Sequence, residues 1–300
     1  MLMKKIFISF VLFLCLIAAG LIVLNFDIVA RTWRAARDGR LTVEKLRFEL
    51  AAFDLGRPSP NIPVKIKTAE KDVMPQVYIP EGIFIMGSDD DPKSKEFPAH
   101  GVFINAFWMD KIEVSNAMYK KCVDAGECLP PVPRLNPYYG KWIYRDLPVV
   151  YANWYAAETY CAWAGRRLPT EAEWEKAARG TDQRRYTWGE ERANPRLANF
   201  DESLMGEMLP VFRYPLGASP YGVLNMAGNV REWVADWFDK AYYANSPKAN
   251  PTGPENGFER SLRGGAYDAN ADSITTINRF RHEPDSAGLS RGFRCAESAQ

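Results

Sequence analysis

Histidine is almost missing from this sequence, and so is any imbalance of charge. Two histidines, His100 and His282, stand far apart among 300 residues. An iron centre of two histidines and one carboxylate therefore has no local signature. The 38 basic and 37 acidic side chains leave a formal net charge of +1, which gives no footprint for wrapping nucleic acid. No nucleic-acid partner is expected. A Gly-x-Ser-x-Gly elbow and a phosphate-cradling glycine loop are both absent, and the turn at Arg263, Gly264 and Gly265 is only a weak candidate for an anion site.

What is present is aromatic and turn-rich. Nine Trp, 14 Tyr and 16 Phe beside 21 Gly and 21 Pro describe a core filled by rings rather than by long regular helices. The length suits one domain plus appendages. Residues 1–25 read as a membrane anchor or signal segment: after Lys4 and Lys5, Ile6 to Leu24 carries no charge and as a helix spans a hydrocarbon core. Arg31, Arg34, Arg37 and Arg40 follow it, and the positive-inside rule alone puts the body in the cytoplasm. Residues 26–72 read as a stalk. Val43, Leu46, Leu50 and Phe53 recur at helical spacing behind Thr42, and Pro58, Pro60 and Pro63 then break regular structure. The compact body is predicted over 73–297.

Within the body, Ser115 predicts a helix running to about Ala125 with Gly126 as its stop. Asn153 predicts a second, closed by Gly165, and Thr170 with Glu173 forms a capping box for a third that ends at Arg179 and Gly180. Beyond these the sequence offers turns and short extended runs such as Gly222–Leu224 and Arg260–Leu262. Helices first and irregular strands later predict an α+β fold.

Four segments, YCAWAGRRLPTEAEWEKAARG at Tyr160–Gly180, NMAGNVREWVADWF at Asn225–Phe238, RGGAY at Arg263–Tyr267 and GFRCA at Gly292–Ala296, together resemble the formylglycine-generating-enzyme (sulfatase-modifying factor) family. Pro80–Gly87 and Phe107–Asn116, with Asp110, resemble its opening strands and first helix. The resemblance implies a variant C-type-lectin-like fold with little regular secondary structure, preceded here by one N-terminal transmembrane helix. It also implies structural calcium. One site corresponds to Asn225, Gly228, Val230 and Glu232, an all-oxygen set of side chains and carbonyls that suits a hard cation. A second corresponds to Asn199 and Phe200, with Asp201 nearby. Without calcium, Glu232 reads as a carboxylate buried against Arg231 or a backbone amide, and Trp233 and Trp237 as core.

One of the five cysteines, Cys15, lies in the apolar N-terminal run. The resemblance implies that Cys161 pairs with Cys295, closing a long loop that in the chain-entropy model stabilises by about 4 kcal/mol. Cys122 and Cys128 flank the Gly126 turn and read as a second bridge; the alternative for all four is buried free thiols. Two bridges and calcium fit an oxidising space, so an inner-membrane-anchored protein with a periplasmic or otherwise extracytoplasmic body is expected despite the arginines.

The family's chemistry is where the sequence departs. Active members bind copper through two cysteines just after the Gly-Gly turn, and the matching positions here are Ala269 and Ile274, so no copper is expected. Two functions are left open. One is a non-catalytic module that holds a protein or small ligand at the C-terminal loop face, Tyr267–Leu289, with Arg279, Arg281, Glu283 and Asp285 as its rim. The other is a cysteine-independent oxidase resembling the family's periplasmic siderophore-maturation branch.

Overall fold

The structure, a computed structural model, describes residues 64–131 and 136–299. The chain divides into residues 1–55 and 56–300, and the described residues all lie in the second unit. The uncharged run Ile6–Leu24 and the amphipathic segment behind Thr42 lie outside them. Among the described residues no helix is long and apolar enough to cross a membrane.

The body opens earlier than the sequence predicts. Strand β1 (Ile66–Thr68) pairs antiparallel with β2 (Pro75–Ile79), so the first sheet already uses residues before Val73. Asp72, placed in the stalk by the proline count, is fully buried and ion-paired with Arg166. Strands β3 (Gly82–Met86) and β4 (His100–Ile104) form a two-stranded sheet, and β5 (Phe107–Asp110) pairs with β2.

Three helices follow, each where its cap residue puts it. Helix α1 (Asn116–Asp124) begins at Ser115, whose hydroxyl accepts from the Met118 amide, and Gly126 beyond its end has φ of +78°. Helix α2 (Trp154–Trp163) begins at Asn153, whose Oδ1 accepts from the Ala156 amide at 2.9 Å. Helix α3 (Glu171–Arg179) carries the complete capping box between Thr170 and Glu173.

Strands β6 (Arg231–Trp237), β7 (Arg260–Arg263), β8 (Arg279–His282) and β9 (Arg291–Phe293) build a four-stranded sheet in the order β8-β7-β6-β9, with β6 and β9 parallel. Strand β10 (Ala296–Ser298) then crosses to the first sheet and completes the order β1-β2-β5-β10. The run Gly222–Leu224 forms no strand. Its residues close a turn on Ser219, whose Oγ accepts from the Val223 amide, while the Leu224 amide reaches the Lys111 carbonyl.

Two aromatic cores lie between these layers. One joins Tyr119, Tyr160, Trp233 and Phe293 around α1 and α2; the other joins Phe84, Phe107, Trp174 and Met226 beneath α3. Cys161 of α2 is bonded to Cys295, with Cα atoms 5.6 Å apart, and Cys122 to Cys128, at 5.3 Å. The first bridge ties the first core to the C-terminal strands.

Candidate functional site

Ala269 and Ile274, which the sequence resemblance sets against the family's two thiolates, are both buried in one small apolar cluster with Tyr186, Ala198, Phe200 and Ala227. The chain between them is held by ordinary turn chemistry. Asn270 caps the short 3₁₀ turn Ala271–Ser273, its Oδ1 accepting from the Ser273 amide at 3.0 Å. Ile274 packs directly beneath the Gly-Gly turn: at Gly265, whose φ is +70°, an added Cβ would fall 2.7 Å from Ile274 Cγ2. Neither the Ala269 nor the Ile274 side chain offers a ligand atom to a soft metal. His100 lies in β4 with its ring against Tyr243, and His282 lies in β8 of another sheet. Among the described residues no group of three His, Cys, Asp or Glu side chains is arranged to hold a metal.

The turn expected to hold calcium is built differently. Asn225 and Gly228 both take left-handed backbone, and at Gly228 an added Cβ would lie 2.1 Å from the Asn199 carbonyl oxygen. Only glycine permits that approach. The two expected calcium loops are thereby pressed together, with the Asn229 amide donating to the Asn199 carbonyl at 2.8 Å. Asn225 gives both amide hydrogens away, to Glu113 Oε2 and the Val211 carbonyl, each at 2.8 Å, which leaves its buried Oδ1 without a donor. An orphaned buried carbonyl oxygen of this kind is costly unless something electropositive meets it.

Glu232 is fully buried, and its carboxylate is gripped by Arg294 through two bonds of 2.6 Å, with Trp174 Nε1 donating to Oε2 at 2.8 Å. Its partner is thus Arg294 rather than Arg231. A carboxylate offers about four lone pairs, so one on Oε1 is still open. Asn225 Oδ1 and that lone pair are oxygen donors of the kind a hard cation takes. Next to it, burial pushes the Glu113 carboxyl up to about 7, Glu232 adding to the shift while Arg294 and the amides of Asn225 and Asn229 oppose it. At the other loop, Asn199 Oδ1 accepts from Ser203 Oγ at 3.2 Å and the Phe200 carbonyl from the Ser203 amide at 2.9 Å. That loop uses both groups to hold itself.

The C-terminal loop face needs one correction. Arg279, expected on the rim, is fully buried. Its Nε and Nη2 grip the two oxygens of Glu171 at 2.8 and 2.9 Å, and Nη1 donates to the Lys95 carbonyl. Arg263 of the Gly-Gly turn is buried beside it and donates to Glu171, Glu175 and the Thr276 carbonyl, which disposes of that turn as an anion site. Burial works against the Glu171 carboxylate, yet Arg279 and Arg263 hold its pKa below the ordinary value. Arg281 stays at the surface, paired with Glu259 at 2.6 Å, and Glu283 and Asp285 are exposed. Arg281 and Glu259 line a groove of about 530 Å³ whose other cations include Lys95, Arg231 and Arg291, residues that sequence reasoning missed. The one available signal was this chain's run of arginines at Arg279, Arg281, Arg291 and Arg294, and sequence could not separate buried from exposed.

This arrangement of three short helices and small sheets, with the Gly-Gly turn and the GFRCA strand in one layer, is the mixed helix and strand fold of the formylglycine-generating-enzyme type. The sequence matches the Sulfatase-modifying factor enzyme 1-like domain family over residues 63–299, and the chain belongs to that family. It is 34% identical over 258 residues to serine/threonine-protein kinase pkn1 of Chlamydia caviae, covering 78% of this chain and 41% of that protein, so it spans less than half of that relative. It is 34% identical over 300 residues to the formylglycine-generating enzyme of Bos taurus, covering 80% of this chain and 76% of the bovine protein. PvdO from Pseudomonas aeruginosa shares the fold, with a TM-score of 0.68 at 24% identity over 81% of this chain and 100% of that one.

Proposed function

We propose that this protein is a non-catalytic member of its family, a binding or scaffold module tethered to the membrane by its N-terminus with its body outside the cytoplasm. The observation that carries the reading is the burial of Ala269 and Ile274 in one apolar cluster, where neither side chain offers a ligand atom. A domain that has replaced its redox pair by packed hydrocarbon yet keeps the turn at Asn225–Glu232 serves as a stable platform. Calcium at that turn, held by Asn225, Glu232 and the carbonyls of Gly228 and Val230, would supply cross-linking charge and no chemistry of bond making. Two disulfides and a calcium-type turn support an oxidising, calcium-rich compartment.

The test is a mass-spectrometric assay for thiol-to-aldehyde conversion in a sulfatase-type peptide. The copper-loaded wild type is run beside an active relative. Conversion above the enzyme-free background would sink the non-catalytic reading. Location is checked separately by fusing alkaline phosphatase to the C-terminus: activity is expected, and an inactive fusion of full length would put the body in the cytoplasm.

A further inference from the structure

Strands β6 and β9 run parallel in a register that sets Arg231 opposite Arg291. Like charges directly across a strand pair repel, and a sheet normally avoids the arrangement or supplies a counter-charge. Both side chains line the same groove, with Lys95, Arg281 and His282 around it and Phe280 and Leu262 in its floor. Arg231 Nη1 has one carboxylate contact, Asp268 at 3.0 Å, and also donates to Ser290 Oγ at 3.0 Å. Arg281 has Glu259. Among the described residues Lys95 and Arg291 have no carboxylate within ion-pair reach, while Lys95 Nζ and the Arg231 guanidinium sit 5.0 and 5.1 Å from the Phe280 ring centre.

Arg291 is also fixed in place. Its guanidinium lies across the backbone of Gly288, where an added Cβ would come within 2.4 Å of Nη2, and Nη2 donates to Ser286 Oγ at 3.2 Å. Its Nε is buried with no acceptor. Burial and the neighbouring Arg231 both lower the Arg291 pKa, and burial with Arg281, Arg279 and Arg263 lowers that of Lys95 against the pull of Glu96. The groove therefore holds two opposed guanidinium groups, one buried unused donor and an unmatched ammonium. An oxyanion placed between Arg231 and Arg291 would face the two guanidinium groups that the strand register opposes.

We propose that Arg231 and Arg291 are the two arms of a carboxylate-binding site, with Lys95 as its third cation, through which the platform holds an acidic ligand or an acidic partner segment. Carboxylates already sit on the groove's rim, Asp268 on Arg231 and Glu259 on Arg281, and a planar carboxylate matches the fork of a guanidinium. The inference deepens the reading of the loop face as a binding platform and rests on it. The two fail separately. Carboxylate binding together with peptide conversion would remove only the non-catalytic claim, and no binding without conversion would remove only the site.

The experiment is calorimetric titration of the full-length protein with sodium succinate, with the capped peptide Asp-Glu-Asp-Glu and with sodium sulfate, each against chloride at equal ionic strength. Succinate or the peptide is expected to saturate, the first pointing to a small carboxylate and the second alone to a partner segment. Arg291→Gln should weaken binding by about tenfold, the weight of one charge-assisted contact, and Arg291→Lys should fall between because it keeps charge without the fork. Circular dichroism of both variants checks the fold, and Lys95→Gln gives an independent loss if Arg291→Gln does not fold. Saturation by sulfate alone, affinities unchanged in the folded variants, or no saturable anion binding would each overturn the proposal.

Discussion

Arg294 and Arg291 stand on the same C-terminal segment, and their surroundings are opposite. Arg294 is fully buried with donors placed on both oxygens of Glu232 and on the carbonyls of Asp110 and Leu224. Arg291 faces another arginine, keeps one donor on a serine and has a buried nitrogen with nothing to bind. One guanidinium completes an interior; the other leaves a charge for something outside the chain to complete. The contrast separates arginine that specifies the fold from arginine that advertises a site, although both belong to one motif-dense stretch.

The largest effect expected from breaking this contrast is at Arg294. Arg294→Met leaves Glu232 a buried carboxylate without its counter-charge, and such a loss costs about 3 to 5 kcal/mol. Equilibrium denaturation should show it, and a smaller loss in calcium than in chelator would sharpen the assignment of Glu232 as a shared ligand. A loss below about 1 kcal/mol in chelator would mean that the pair is dispensable.

Chelation of the wild type comes next. A ligand present at about 100 times its dissociation constant adds about 2.7 kcal/mol to a folded state that alone binds it, so removing calcium should lower the melting temperature. In Glu232→Ala that response should vanish. A melting curve indifferent to chelator would remove calcium from the turn.

The smallest effect belongs to Arg291. In chloride buffer Arg291→Gln should leave stability within about 0.5 kcal/mol of the wild type, because relief of the Arg231 repulsion offsets the lost bond to Ser286. A loss as large as that at Arg294 would make Arg291 structural after all.

The sequence spoke most clearly where structure is local. Ser115, Asn153 and Thr170 cap the helices they announce, because a cap depends on residues within one turn. Arg279 was misread for the opposite reason. Arg279 and Arg281 both lie against Phe238, at 4.7 and 4.9 Å, and nothing nearby in sequence says that only the first meets Glu171. Glu171 is supplied by α3, whose place under the sheet is a tertiary fact. The opposition of Arg231 and Arg291 was equally invisible, since it depends on the parallel register of β6 with β9. Asp72 was assigned to the stalk because prolines upstream looked like a boundary, whereas its burial is set by Arg166 and Tyr160.

The last strands of the chain have a consequence for timing. Strand β9 is the edge partner of β6 in one sheet, β10 is the edge partner of β5 in the other, and Cys295 between them closes onto α2. Neither four-stranded sheet and neither core is complete until residues 291–298 have been synthesised. Contacts of such long sequence separation also form slowly. A nascent chain therefore carries its body unfinished until both strands can dock, and the Cys161–Cys295 bridge locks it only after that.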